Sequence, residues 1–512
     1  MSINYYSKTF PSLFFLLLFL SWCHCSKVMA QTDTVFWFAA PEVAYIGNPL
    51  PPCDRPIVMR LTAYNQAATV TISQPANGGM PNQVVNVPAN TVKTVDLTNW
   101  IDHIETKPTN TAVNYGLKIS SNVPVSAYYE EVSGDGVGYF PDPEIFNLKG
   151  EYALGNDFWI PAQNVLSNDS IRFSSVLLSS FNIVATEDNT NITVTPSKNV
   201  IGHAANIPFS ISLDKGQTFA VTAASPSASA HLNGSHVVSD KPIAITVSDD
   251  GPMYYTGGDD LGGDQIVPTK YLGKEYVAIN GLLNMPGDIV FVIATENKTK
   301  VYKDGIYVST INAGETQQIP LNENASYITT SAPSAVWQLS GVGVQTGQIL
   351  LPKLICTGSK SASFIRSVEG ALSLNIVVPS GGESGFSVNG NNNVLTNSQF
   401  SAVPGTAGAW MYCRLSLPLG SYPMGSKIKI DNPTANFQMG VINGYTNRGA
   451  NVSYFADFNS GSTILNITAQ PNPACVGDDI QLATTNDPSA SYIWQGPNGF
   501  SSNVYNPLLA NV

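Results

Sequence analysis

Apolar and polar residues alternate strictly in one stretch of this chain, Ile243-Ala244-Ile245-Thr246-Val247-Ser248, which follows a polar turn at Ser239-Asp240-Lys241-Pro242. Ile243, Ile245 and Val247 share one face of an extended segment, and Ala244, Thr246 and Ser248 share the other. A period of two predicts a half-buried β-strand. Pro242 is expected at its first position, where a missing N–H costs least. The same pattern returns around Pro124, and more loosely around Pro333 and Pro433.

Other elements keep the same order. Val184-Ala185-Thr186 through Ile192-Thr193-Val194 reads as a hairpin, an apolar run and a β-branched run about the polar turn Glu187-Asp188-Asn189. Its match is Ile293-Ala294-Thr295 through Lys300-Val301. Lys215-Gly216-Gln217-Thr218 answers to Ala313-Gly314-Glu315-Thr316. Thirty-one residues separate Pro124 from Gly155 and Pro242 from Gly273, and 25 separate Pro333 from Gly358. Equal spacing of independent anchors is the mark of an internal repeat. The repeat prolines stand 118, 91 and 100 residues apart, so each repeat is a whole small β unit.

These patterns predict an all-β chain of tandem antiparallel β units, either a row of β-sandwiches or a large-bladed propeller-like arrangement. The expected boundaries are a signal peptide at 1–30, an extended leader at 31–54, and β repeats at 55–165, 166–282, 283–368 and 369–460. From 464 to 512 the text changes. Cys475-Val476-Gly477, a strand at Ile480-Gln481-Leu482-Ala483 and a strand tryptophan, Trp494, read as a truncated Ig-like sandwich. It stops before its final strands, which leads us to expect a longer chain.

Composition agrees with strands over helices. Charged residues are only 12 %, while Gly (42) and Pro (34) are abundant. The net charge is −12, and −14 without residues 1–30, which hold Lys8 and Lys27 and no acid. That sign argues against nucleic acid and anionic membranes as partners. Lys8, the apolar run 13–20 and Val28-Met29-Ala30 read as a secretory signal. The run is short for a membrane span, and no later segment is long and apolar enough to be one. The expected location is therefore outside the cell, secreted or on the surface.

Removal of the signal leaves Cys53, Cys356, Cys413 and Cys475. Cys356 and Cys413 lie in neighbouring strand-rich stretches and form the expected disulfide. The candidate metal site is the Asp/Gly-rich segment holding Asp249, Asp250, Asp259, Asp260 and Asp264. Aspartates on glycine turns present oxygens suited to Ca²⁺, the one cofactor the sequence suggests. No EF-hand or nonapeptide calcium spacing is present, and turn-capping in a solvated loop is the competing reading. Glu130, Glu131, Asp135, Asp142 and Glu144 form a thinner version. The candidate ligand surface is aromatic, Tyr254 and Tyr255 with Tyr128 and Tyr129, and with Tyr139 beside them. Exposed aromatics near acids and amides suit protein or glycan recognition, though tyrosine is also an ordinary strand residue.

Catalysis has little support. His103, His203, His231 and His236 sit in no H-E-x-x-H, and no G-x-S-x-G elbow occurs. The chain is expected not to be an enzyme. A glycan hydrolase with paired carboxylates is the rival, and a purely structural surface component the third reading.

Residues from about 55 to 460 resemble the IgGFc-binding-protein N-terminal domain family. The resemblance is carried by Ser239-Asp240-Lys241-Pro242 with its strand, Gly263-Asp264-Gln265-Ile266-Val267-Pro268 and Gly273-Lys274-Glu275-Tyr276-Val277. The tail is similar to the Ig/PKD-like repeats of large exported Bacteroidota proteins, which end in a gliding-motility-type secretion signal. Together the resemblances imply an exported adhesin-like binding protein. A repetitive β head would recognise extracellular protein or glycan, and Ig-like repeats would carry it.

Overall fold

A computed structural model of the chain describes residues 32–43, 54–132, 143–168, 176–254, 259–284, 286–355, 357–446, 449–455, 468–470, 477–483, 494–495 and 500–510. The described chain is built of β-strands joined by turns and short 3-10 segments, as expected of an all-β protein.

The strands form four units of one topology. Unit one holds β1 (Asp33–Phe38), β2 (Ile57–Ala63), β3 (Ala68–Ser73), β4 (Gln83–Val87), β5 (Thr91–Asp96), β7 (Leu117–Glu131) and β8 (Glu144–Asn147), while β6 (Ala112–Val113), which precedes β7 in the chain, pairs at the edge of unit two's sheet. Unit two holds β9 (Gly155–Trp159), β10 (Ser179–Ala185), β11 (Thr190–Thr195), β12 (Phe209–Leu213), β13 (Thr218–Thr222), β14 (His236–Met253) and β15 (Asp259–Gln265). Unit three holds β16 (Gly273–Ile279), β17 (Leu282–Leu283), β18 (Ile289–Ala294), β19 (Thr299–Lys303), β20 (Ile306–Ile311), β21 (Thr316–Pro320), β22 (Ala325–Gly343) and β23 (Gln345–Leu350). Unit four holds β24 (Ser361–Ile365), β25 (Ala371–Pro379), β26 (Ser387–Val388), β27 (Ser401–Ala402), β28 (Trp410–Ser416), β29 (Lys427–Asp431), β30 (Gln438–Gly444) and β31 (Ala450–Tyr454).

Each unit is organised on one long strand that belongs to two sheets. In β14, the stretch from His236 to Ser239 pairs with β11 on one side and β9 on the other. From Ile243 onward it pairs with β10, and from Thr246 with β15 as well. Pro242 lies at the crossover, inside an 18-residue strand and not at its start as expected. Pro124 and Pro333 occupy the same step of β7 and β22, and Pro433 falls in the gap where unit four breaks its long strand into β29 and β30. A residue without an N–H suits the one step at which a strand changes partners.

Two further groups hold the crossover. The residue two before the proline offers a side-chain oxygen to a strand N–H of the outer sheet. Asn122 Oδ1 takes Thr69 N at 2.7 Å, Asp240 Oδ1 takes Asn191 N at 2.8 Å, and Ser331 Oγ takes Lys300 N at 2.8 Å. The proline carbonyl in turn accepts a threonine hydroxyl, Thr186 on Pro242 and Thr295 on Pro333, each at 2.6 Å. This explains why the expected hairpin at 184–194 is none. β10 and β11 flank the crossover in different sheets and do not pair with each other.

The inner sheets are β5-β2-β7-β8, β13-β10-β14-β15, β21-β18-β22-β23 and β28-β25-β30-β31. They are covered on both faces. In unit three, Val290, Val292 and Val336 fill the unit's own core, while Phe291, Ile293 and Trp337 fill that of unit two. Ile442, Ala450 and Val452 of unit four enter the core of unit three. Tyr128 and Ile145 of unit one enter that of unit four, and Leu261 of unit two enters that of unit one. The packing closes on itself. At the axis β8 lies against β15, β15 against β23, β23 against β31, and β31 against β8. The units therefore form a large-bladed, propeller-like ring and not a row of sandwiches. The strand at 243–248 is correspondingly not half-buried. Thr246 and Ser248 are buried too, and Ala244 packs on Trp37 and Ala39 of unit one. Its alternation separates large from small residues, not inside from outside.

Sheet membership also moves the unit boundaries. β9, β16 and β24, expected to close one repeat, pair with the long strand of the next. β1, expected in an extended leader, pairs with β7 and opens unit one. In the tail, Thr468–Gln470 pairs with Ile480–Ala483, which pairs with Leu508–Leu509, and Trp494–Gln495 pairs with Ser501–Ser502.

Glycines set how closely the blades approach. Gly116 N donates to Gly216 O at 3.1 Å across the seam between units one and two. Gly234 lies against Gly314 across the next seam without a hydrogen bond between them, and a Cβ on Gly234 would overlap the Gly314 carbonyl. Gly234 has φ +80°, and Gly305, in open space, has φ +81°. Gly305→Ala should therefore cost about 1–2 kcal/mol for the left-handed backbone alone. Gly234→Ala should cost about 1–3 kcal/mol more, from overpacking. Thermal unfolding of the two variants side by side checks this, and equal midpoints would remove the seam contact from the account.

Candidate functional site

The acidic segment is not a loop. Asp249 and Asp250 lie on β14 and Asp260 and Asp264 on β15, and the two strands pair Asp249 with Gly262 and Val247 with Asp264. Gly262 and Gly263 let β15 approach its neighbours, since a Cβ on Gly262 would meet Gln348 at 2.9 Å and one on Gly263 would meet Phe146 at 2.7 Å. Asp249, Asp260 and Asp264 are buried, and protein donors occupy their oxygens. Asp249 receives His231 Nε2 at 2.9 Å, Gln163 Nε2 at 2.9 Å, Asn168 Nδ2 at 2.6 Å and Gln348 Nε2 at 2.6 Å. Asp264 pairs with the buried Lys149 ammonium at 2.7 Å and takes Leu350 N at 3.2 Å. Asp260 takes Ala450 N at 2.8 Å. Asp250 is buried in the same strand, and the backbone of Asp259 begins β15. No group of three or more His, Cys, Asp or Glu among the described residues is placed to hold a metal ion. The calcium expectation is thus corrected for Asp249, Asp260 and Asp264, whose oxygens are held by protein donors.

What they do is close the axis. The four axial strands keep step, with Gly262 beside Gln348 and Asp264 beside Leu350, and Glu144 beside Val452 and Asn147 beside Tyr454. They run in one direction but form no ladder with one another. Side chains serve their inner edges instead. Glu144 Oε1 takes Val452 N at 3.0 Å, Gln345 Oε1 takes Gly449 N at 2.8 Å, and Gln265 Oε1 takes Lys149 N at 2.7 Å. A buried N–H left without an acceptor costs about 1–3 kcal/mol, so these acids and amides are structural.

Electrostatics follow burial. Burial would raise the Asp249 carboxyl, but the His231 imidazole and the side-chain amides outweigh it and hold it below the usual range. Burial would lower His231, and Asp249 raises it instead. Glu144 has no such cation. Burial pushes it well above the usual range against the backbone donors Val452 and Ile145. Glu130 is buried on Arg60 at 2.7 Å, and Glu131 is buried, while Asp135 and Asp142 lie outside the described residues.

The expected aromatic surface is corrected as well. Tyr128, Tyr129 and Tyr254 are 1 %, 2 % and 3 % exposed. Tyr128 accepts Ile365 N at 3.0 Å and packs edge-on against Phe455, joining unit one to unit four. Tyr129 packs with Phe38 and Phe146, and Tyr254 donates to Asn284 O at 2.7 Å. Tyr139 and Tyr255 lie outside the described residues. So does Cys356, and Cys413 is a buried free thiol pushed up to about 11 by its apolar surroundings.

An open groove of about 690 Å³ lies at the seam between units two and three. Unit two contributes Trp159, Thr195, Ser197, Lys198, Asn206, Asn233 and His236, and unit three contributes the Gly314-Glu315-Thr316 turn. The His236 ring stacks on Trp159 at 4.2 Å and 14°, and Gly314 leaves room for the indole. His236 Nε2 lies 3.3 Å from Asp157. Asn233 is buried and bridges the seam through Nδ2 to Thr316 Oγ1 at 2.7 Å. The Glu315 carboxylate is tied to Asn312 N at 2.7 Å. The wall is thus amide, hydroxyl and aromatic, with little free charge. Sequence reasoning missed it because Trp159 and Thr316 are 157 positions apart. His231 and His236, five apart in sequence, serve separate places, the axis network and the groove.

Residues 147–442 match the family model described as IgGFc binding protein. The chain belongs to that family. Membership places it among extracellular binding proteins, and every residue named in the groove falls inside the matched region. No curated protein matches the chain. Among solved structures, the crystal structure of Streptomyces avermitilis alpha-L-rhamnosidase complexed with L-rhamnose aligns over 82 % of this chain and 57 % of that chain, at 8 % identity and a TM-score of 0.10. So low a score carries no argument. No helix among the described residues is long and apolar enough to cross a membrane.

Three outcomes are expected at the axis. Asp249→Ala strands a buried imidazole and three amides and should cost about 3–5 kcal/mol in denaturant unfolding. Neither calcium nor chelator should shift the parent's unfolding midpoint. Glu144 titrates higher folded than unfolded, so its contribution is full below the unfolded value of about 4.3 and is lost as pH rises through the folded value. Glu144→Gln should therefore melt above the parent at pH 8, with the gap closing toward pH 4. A gap that widens in acid would reverse the assignment.

Proposed function

We propose that the four-unit ring is the head of an exported adhesin-like protein. It recognises extracellular protein or glycan at the seam groove between units two and three, and the segment from residue 464 begins an Ig/PKD-like stalk that holds it away from the cell. The observation that carries this is the groove itself, an open polar concavity with an aromatic wall, inside the region of the family match. The ring behind it is a rigid support, and sites built on rigid elements hold their geometry. Antibody Fc, the ligand in the family's description, belongs among the ligands to be tried.

No catalytic role goes with this proposal. A glycosidase needs two carboxylates flanking the scissile bond. Among the described residues lining the groove, Glu315 is the one carboxylate, and it is bound to backbone.

Binding of the purified chain to antibody Fc, mucins, animal glycans and plant polysaccharides tests the proposal. Saturable binding to one class, unchanged by chelator and without turnover of the ligand, is the expected result. A folded chain that binds none of them would point to a structural surface component, and hydrolysis of a polysaccharide to an enzyme.

A further inference from the structure

We infer that the seam groove takes a neutral, hydroxyl-rich saccharide, in preference to a peptide or an anion; this rests on the groove being the binding surface proposed above. The balance of polar groups favours it. A sugar hydroxyl both donates and accepts, and is matched best by groups that do the same. The amides of Asn206 and Asn233 and the hydroxyls of Thr195 and Ser197 have that character.

One of these groups is held in place by the seam itself. Asn233 is only 7 % exposed, and its Nδ2 is used across the seam on Thr316, but its Oδ1 has no hydrogen-bond partner among the described residues. The Nδ2 bond to Thr316 fixes this amide beside the groove. A second group sets the shape. The Trp159–His236 stack supplies the flat apolar wall against which the C–H face of a pyranose packs. About 690 Å³ is within the range of small-ligand clefts.

Other ligand classes fit less well. Protein interfaces are anchored by aromatic or aliphatic side chains in desolvated pockets, whereas Ile311 and Ala313 are the aliphatic lining here. An anion would need a cluster of free cations. Lys198 stands in the groove with His236, which faces Asp157, and with the Glu315 carboxylate nearby.

The neighbouring seam shows which parts of this chemistry come with the repeat. The glycine contact recurs there as Gly116 on Gly216, and an amide bridge as Gln217 Nε2 on Asn114 Oδ1 at 3.0 Å. Phe36-Trp37 takes the register of Phe158-Trp159, with Lys118 opposite Trp37 where His236 stands opposite Trp159, and the Lys118 ammonium lies 5.5 Å from the centre of the Trp37 ring. The tryptophan thus comes with the repeat, and what is particular to the second seam is that its indole is only half-buried and is stacked by an imidazole, whereas Trp37 is buried.

The full chain should be titrated by calorimetry with short neutral oligosaccharides of glucose, galactose, mannose and N-acetylhexosamine. Sialylated and sulfated counterparts and antibody Fc are run alongside. Asn206→Ala, at an exposed position of φ +61°, and Trp159→Ala and Asn233→Ala are used once their unfolding midpoints are known. Saturable binding of a neutral saccharide, weakened at least about tenfold by Asn206→Ala and by Trp159→Ala, is expected. Neutral saccharide binding that no groove variant alters overturns the site. Binding confined to anionic glycans and lost in Lys198→Ala overturns the ligand class, as does Fc binding alone, lost in Asn206→Ala; both leave the binding head standing. A folded chain that binds nothing overturns the inference and the binding head together.

Discussion

Each inner sheet is covered on both faces, and its innermost edge is turned to the axis. That constraint governs the rest of the ring. A sheet with one wet face can put charges outward, but here the outward face of one blade is the core of the next. Phe291 and Trp337 fill unit two because unit three has no solvent to give them to, and Tyr128 fills unit four for the same reason. The strand edges at the axis have the same difficulty in one dimension. Their N–H groups are beyond water, so carboxylates and amides from neighbouring blades accept them. The ring is held at its centre by directional polar contacts and around its circumference by apolar packing. Neither suffices alone, because the apolar faces fix distance but not register.

Much of this was legible in the residues. Periodicity, the recurring proline and the equal spacing from Pro124 to Gly155 and from Pro242 to Gly273 identified four β units of one design. The proline's meaning was not legible. Its missing N–H agrees with a strand start as well as with a crossover, and only pairing partners tell the two apart. The unit boundaries failed for a related reason. β9 follows unit one in the chain but pairs with β14, and a repeat read along the sequence has no preferred phase.

The acids and tyrosines misled for a physical reason. A string such as Asp259-Asp260-Leu261-Gly262-Gly263-Asp264 has the composition of a turn, and composition cannot say that the glycines are there for close approach between strands. Once β15 sits at the axis, Asp260 and Asp264 are useful because they are buried among donors. Tyr128 and Tyr254 are likewise amphipathic residues that put the ring in a core and the hydroxyl on a backbone group. Nothing local in the sequence distinguishes that use from an exposed binding platform.

The seams are where such a ring is free to vary. The axis tolerates little, since Asp260, Asp264 and Glu144 each answer to a particular backbone N–H and Asp249 to four side-chain donors. The inner sheets tolerate little, since each residue packs in one core or the next. The outer sheets and the turns between blades carry neither duty. Gly116 with Gly216 and Gly234 with Gly314 bring the backbones together at two seams. Beside those contacts the side chains differ, Lys118 near a buried Trp37 at one seam and His236 stacked on a half-buried Trp159 at the other. Fixed geometry next to free chemistry is the condition under which a repeated scaffold acquires a site in one copy and not in its neighbours. The groove at the second seam lies where that condition is met.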